Sequence, residues 1–172
     1  MELQAALETR YSCREFSPDA LTTAEITAVL EAGRLAPTAR NLQPQKLFVI
    51  TKDEDLAKID ACSPCRYGAP VVIVVAYDPQ ISGQHGEGEN AWKYGDVDST
   101  SVLVHMLLKA TDLDLATVWV GMYKDELLYE AFPMLQGLCV RALVMLGKPG
   151  ENGGPCDRHT DRKPLEETVT WL

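Results

Sequence analysis

The stretch "CVRALVMLGKPGENGGPCD", Cys139–Asp157, decides the fold class. Its first nine residues read as a strand, because a short, nearly continuous apolar run fits a buried position in a sheet. A proline- and glycine-rich segment succeeds it in place of a helix, so this strand opens no βαβ step. Outward from it, "DELLYEAF" (Asp125–Phe132) reads as a helix and "ATVWVGM" (Ala116–Met122) as a strand. Gly95–Asp112 is apolar almost all round its later turns, which predicts a centrally buried helix. "APVVIVVAYD" (Ala69–Asp78) is an unbroken β-branched run and reads as a strand covered on both faces.

Toward the N-terminus, Leu3, Ala6 and Leu7 keep helical spacing within Glu2–Arg10. Thr22 or Thr23 caps a second helix whose buried stripe is Ile26, Val29, Leu30 and Leu35, and Pro37 ends it. "KLFVIT" (Lys46–Thr51) reads as a strand, Asp53–Asp60 as a short helix and Pro79–Asn90 as a surface loop. Lys148–Leu172 reads as an extended arm. Helices and strands mix without regular alternation, which favours an α+β sandwich over a doubly wound sheet. The chain is read as one domain, 1–172.

Composition excludes several function classes. Sixteen basic against 25 acidic residues leave a net charge of −9, without the basic stripe that a nucleic-acid phosphate backbone requires. No apolar run reaches about 18 residues, so no membrane helix is expected. "MELQAALETR" lacks the layout of a secretory signal, and a cytoplasmic location is the expectation. Five cysteines then read as free thiols. No glycine-rich phosphate loop follows any strand, so the usual dinucleotide and P-loop fingerprints are absent.

Four separated stretches carry polar chemistry. They are Arg10-x-Ser12-x-Arg14-x-Phe16, the turn "APTARNLQP" at Ala36–Pro44, the strand end Trp119-x-Gly121, and "RKPLEE" at Arg162–Glu167. In this order and spacing the chain resembles the nitroreductase-like flavoproteins over nearly its whole length. The resemblance implies a three-layer sandwich with a central, mostly antiparallel sheet flanked by helices and an extended C-terminal arm. It also implies an FMN cofactor. Arg10, Arg162 and Lys163 would hold its phosphate, with Tyr11 beside them and Ser12 adding a hydroxyl; guanidinium forks suit a phosphate dianion. Arg14 would lie by the pyrimidine edge of the isoalloxazine, where positive charge favours the reduced flavin. Pro37, Thr38, Ala39 and Asn41 would reach the flavin from the other subunit of a homodimer, and Trp119, Val120 and Gly121 would line its ring.

The activity so implied is NAD(P)H oxidation through FMN, with electrons passed to a nitro compound, a quinone or a similar acceptor. No side chain is assigned as catalytic acid or base. Two alternatives stand beside it: a flavin-binding store or sensor without turnover, and a thiol-redox protein using Cys62 and Cys65.

The chain departs from the family pattern in three places. Gln45 follows Pro44 where a tryptophan is frequent. Asp114-Leu115-Ala116 replaces Gly-Leu-Gly, and an altered turn is expected there because Asp enters the left-handed region less readily than Gly. The lid-forming insertion is short. Cys62-Ser-Pro-Cys65 reads as two structural thiols, a redox pair or half of a zinc site; no second CxxC accompanies it, and no metal ligands are assigned. Cys13 reads as a small buried side chain and His105 as a core histidine. Trp119 alone could equally be core packing. His159 is not placed by sequence.

Overall fold

The computed structural model describes residues 1–86 and 92–172. The helices are α1 (Leu3–Thr9), α2 (Thr23–Arg34), α3 (Asp53–Cys62), α4 (Gly95–Asp112) and α5 (Asp125–Ala131). The strands are β1 (Gln45–Ile50), β2 (Val71–Tyr77), β3 (Gln84–His85), β4 (Trp92–Lys93), β5 (Ala116–Val120) and β6 (Cys139–Gly147). The main sheet runs β1-β2-β6-β5, and every adjacent pair is antiparallel. Helices cover both faces, giving the α+β three-layer sandwich.

Side-chain alternation along the strands explains the layers. Val72, Val74, Val118, Val120, Leu143 and Met145 face Leu56 and Ile59 of α3 and Leu128 of α5. Val71, Ile73, Val75, Ala142, Val144 and Leu146 face Val29 of α2 and Val102, Leu103 and Met106 of α4. All seven residues of β2 are buried, so its continuous apolar run is the signature of a strand enclosed on both sides. Between Val75 and Ala76 the β2–β6 register shifts and skips Arg141. The bulge frees Arg141 to pair with Asp96 at 3.0 Å, which ties β6 to the start of α4.

Helix α2 begins with a capping box: Thr22 Oγ1 accepts from Glu25 N, and the Glu25 carboxylate accepts from Thr22 N. Its buried face differs from the predicted stripe. Leu35 lies beyond the last turn and is 69% exposed, whereas Gly33 is buried against Met106 and Val102. Gly33 continues the i, i+3, i+4, i+7 series from Ile26, and its lack of a side chain brings α2 close to α4. Leu3 and Leu7 of α1 are likewise exposed while Ala6 is buried.

The segment read as a loop, Pro79–Asn90, contains β3, which pairs with β4 in a two-stranded ribbon; its residues from 87 onward lie outside the described residues. Asp114 adopts a left-handed φ of 56°, so the α4–β5 turn keeps that conformation without a glycine. Beyond β6 the chain is irregular apart from single 3-10 turns at Asp157–His159 and Leu165–Glu167. Residues 160–172 are exposed.

Candidate functional site

The site begins where α1 stops. Arg10 caps α1, its N–H bonding to Ala6 O, and the chain then runs extended along the outer edge of β5. Ser12 bridges Thr117 in parallel, and Cys13 N donates to Thr117 O at 2.9 Å. Extended backbone alternates its side chains. Cys13, fully buried, points inward with its thiol on Glu15 O, which leaves the two-residue spacing of Arg10, Ser12 and Arg14 for the other side.

The arm closes over this edge. Gly150 N donates to Glu15 O at 2.8 Å, Asn152 N to Glu15 Oε1 at 3.1 Å and Ser17 N to Lys148 O at 3.0 Å. Farther along, His159 Nε2 lies 3.0 Å from Glu8 O, and its ring meets Tyr11 edge-on at 6.3 Å. Gly153 is required here, because a side chain would collide with Glu15 O and the Gly150 amide.

Between the N-terminal edge and the arm lies a cavity of about 300 Å³ lined by Arg10, Tyr11, Ser12, Arg14, Cys156, Arg158, His159 and Arg162. Among the described residues, ion pairs take Arg34, Arg66, Arg141, Lys58, Lys109 and Lys163. The four cavity arginines are in none of them. In a chain of net charge −9, four guanidiniums sharing one hollow without a carboxylate in its lining form a positive focus suited to a multivalent anion. The Cys156 thiol is drawn below its usual range by the Arg158 amide first, with the Arg158 and Arg14 guanidiniums adding. Burial pushes the Tyr11 phenol up.

A second hollow of about 330 Å³ shares Arg10 and Ser12 with the first. Its other walls are Leu7, Val104, Leu107, Leu108, Thr117 and Trp119. Trp119 is 43% exposed; it faces outward from β5 and is not a core residue. The two hollows together pair a charged end with an apolar end.

The remaining predicted site residues are spread more widely. Lys163 pairs with Glu167 at 3.7 Å and does not line the cavity. Val120 is buried in the core, so only its backbone is open to a ligand. Gly121 has open space where a Cβ would stand. Pro37, Thr38, Ala39 and Asn41 sit at the N-terminal end of α4, where Ala39 N donates to Asp98 Oδ1 at 2.8 Å. The apolar hollow meets α4 at Val104, Leu107 and Leu108, roughly 9–15 Å farther along the helix than Asp98 at 1.5 Å per residue. One chain therefore does not bring the turn and the arginines together.

Arg158 and Cys156 are not singled out by sequence reasoning; the spacing Arg158-x-x-x-Arg162 is the signal that points to the first of them. Cys62 and Cys65 are buried and free, and burial pushes the Cys62 thiol up. The turn between them is held by Ser63, whose hydroxyl donates to Met122 O at 2.6 Å and accepts from Cys65 N. These are features of a structural turn, since a reactive pair needs accessible, lowered thiols. His105 is half-buried on α4 rather than in the core.

The four arginines thus gather in a hollow at the β5 edge of an α+β sandwich, under the arm that packs onto Glu15. The sequence profile described as "Nitroreductase family" matches residues 7–64. An Archaeoglobus fulgidus protein, named as a candidate NADH dehydrogenase/NAD(P)H nitroreductase, is 30% identical over 148 residues, spanning 82% of each chain. The crystal structure of a nitroreductase family protein from Clostridium difficile 630 superposes with a TM-score of 0.90 at 30% identity, covering 99% of this chain and 98% of that one. A candidate nitroreductase from Desulfovibrio desulfuricans, solved in complex with FMN, is 26% identical with a TM-score of 0.79, covering 100% and 97%. The chain belongs to the nitroreductase family.

Proposed function

We propose that this protein is an FMN-dependent NAD(P)H oxidoreductase whose flavin phosphate occupies the arginine cavity. The observation that carries the reading is the meeting of Arg10, Arg14, Arg158 and Arg162 around one hollow, with no carboxylate in its lining to neutralise them and an apolar groove adjoining. The donor set fits a phosphate monoester: guanidinium forks for its oxygens and the Ser12 hydroxyl for a further bond. The groove beside Trp119 fits a flat, largely apolar ring.

Bound there, FMN supplies two-electron chemistry between NAD(P)H and an acceptor such as a nitro compound or quinone. The protein's own part is binding, orientation and tuning. Arg10 and Arg162, supported by Arg158, fix the phosphate and hence the register of the ring. Trp119 and Leu107 exclude water from one side of it. Arg14 adds positive charge that favours electron uptake. The five free cysteines suit a reducing compartment such as the cytoplasm, where reduced nicotinamide is available.

The active form in this reading is a homodimer. Val97 and Val104 are exposed on one face of α4, and Val104 shares a hollow with exposed Leu7 of α1 and Trp119 of β5. A two-fold axis presents the same patch on both copies. Pairing α4 antiparallel with its counterpart would carry the Pro37–Asn41 turn of one chain to the arginine end of the other. The domain acts as one unit, 1–172.

The direct test is the visible spectrum of the purified protein, followed by anaerobic addition of NADH or NADPH. A yellow protein that releases FMN on denaturation and bleaches with either nucleotide is expected. A colourless protein that takes up no added FMN would overturn the reading. Flavin that binds but never bleaches would make the protein a carrier.

A further inference from the structure

We propose that Asp98 is a positioning residue of the flavin site, holding the Thr38–Gln43 turn in the shape it presents across the dimer. The inference rests on the proposed function, because the turn matters to flavin only if it completes the site of the second copy. Asp98 lies in the first turns of α4 and is 4% exposed. One carboxylate oxygen accepts from Ala39 N at 2.8 Å. The other, Oδ2, is buried without a hydrogen-bond partner among the described residues.

A buried carboxylate with a single neutral donor is a poor choice for stability alone, since its desolvation is only partly offset. Its one bond goes to the segment whose backbone is hardest to hold. Arg40, Asn41 and Gln43 have φ of 54°, 56° and 50°, the left-handed region that side chains other than glycine enter at a cost. Such conformations persist only where the surroundings over-determine them. The restraints are few: Asn41 N to Thr38 O, Leu42 N to Ala39 O, Gln43 N to Thr38 Oγ1, Gln43 Nε2 to Asn41 O, and the Asp98 bond. The first four lie within the turn. Asp98 anchors it to another element, the helix whose exposed face forms the proposed dimer contact. A rigid link thus joins dimer face and flavin-contacting turn.

The test uses the full-length protein. Asp98→Ala should weaken FMN binding about tenfold or more, the scale of one lost buried hydrogen bond. Hydrogen exchange should quicken at Ala39 while α4 stays protected. Asp98→Asn retains an acceptor and should stay within about threefold of wild type. Mixing Asp98→Ala with Arg10→Ala subunits then separates two questions. If the turn acts on the other copy, each mixed dimer regains one intact site of its two, so tight FMN binding returns to about a quarter of all sites in an equal, randomly assorted mixture. If Asp98→Ala weakens binding and the mixture restores nothing, the cross-dimer reading fails while the hold on the turn stands. Unchanged FMN affinity and unchanged Ala39 exchange in Asp98→Ala would overturn the proposal. Should that variant not fold, Ala39→Pro removes the donor instead; Thr38, at φ −131° and ψ 153°, already has the backbone that precedes proline. The same loss of affinity is expected, and wild-type affinity would overturn the role assigned to this bond.

Discussion

Gly95 lies against the ring of Tyr77: a Cβ on it would stand 2.7 Å from Tyr77 Cγ and closer still to the ring edge. The contact seats the first residue of α4 on the last residue of β2, and Arg141–Asp96 closes the same corner. Tyr77 is 5% exposed, so its ring has little room to yield. Gly95→Ala should therefore destabilise the fold by about 1–3 kcal/mol through overpacking. A urea midpoint lowered at unchanged m-value is the expected result; an unchanged midpoint would mean that the ring shifts freely.

Removing a cavity arginine should cost flavin affinity without costing the fold. Arg10→Ala, Arg158→Ala and Arg162→Ala are each expected to weaken FMN binding by about 1.5–3 kcal/mol, the range of a hydrogen bond to a charged group. Flavin fluorescence titration against wild type measures this. Arg158 is the informative one, since it enters from the arm and has no counterpart in the motifs that carry the family resemblance. Wild-type affinity in Arg158→Ala would leave it as a bystander at the rim.

Arg14 shares the cavity but is assigned a different effect. Arg14→Met keeps the length and removes the charge, so the bound flavin should become harder to reduce by roughly 1–3 kcal/mol. For a two-electron couple that is about 20–65 mV. A spectroscopic titration beside a reference dye reads the shift. Lost FMN binding with an unchanged midpoint would instead place Arg14 with the phosphate ligands.

Acid should loosen the junction of α1 and α4. Asp112, bonded by Lys109 and by the N-terminal amine, has its carboxyl held down at about 2, with Lys109 the larger cause. A carboxyl depressed in the fold stabilises it above the unfolded value near 4, and that contribution is lost as pH falls from about 4 toward 2. Asp112→Asn should lower the unfolding midpoint slightly at neutral pH, because the pair is exposed and screened. The gap to wild type should close across this window. A gap that persists at pH 2 would refute the assignment.

The exposed stripe on α4 makes the oligomer testable. Val97→Asp puts a charge in the proposed interface at an exposed residue that lines neither hollow, and sedimentation should move from dimer toward monomer with FMN lost in parallel. A dimer of wild-type affinity would place the interface elsewhere.

Much of the architecture is written in local pattern. The enclosure of β2 comes from its seven apolar residues, the start of α2 from Thr22 and Glu25, and α4 from its nearly all-round apolarity. The features that escaped had no periodic signal. Gly33 replaces Leu35 on the α2 face because close approach needs the absence of a side chain, which hydrophobicity does not register. Asp114 holds a left-handed turn where the pattern asked for a glycine. Arg158 lies in an arm without repeat or period, so only the three-dimensional closure by Glu15 and His159 brings it to Arg10. The Pro37–Asn41 turn could be recognised but not located, because its distance from the arginines is a property of the length of α4.

The cavity's walls come from residues 10–14 and 156–162, which only the folded chain brings together. In the proposed reading the flavin phosphate has its full set of ligands only after the arm has zipped onto Glu15. The same geometry makes bound flavin a reporter of chain integrity. If the proposed site is right, a molecule clipped near Gly153 by a protease should retain its sheet and helices yet forfeit its colour.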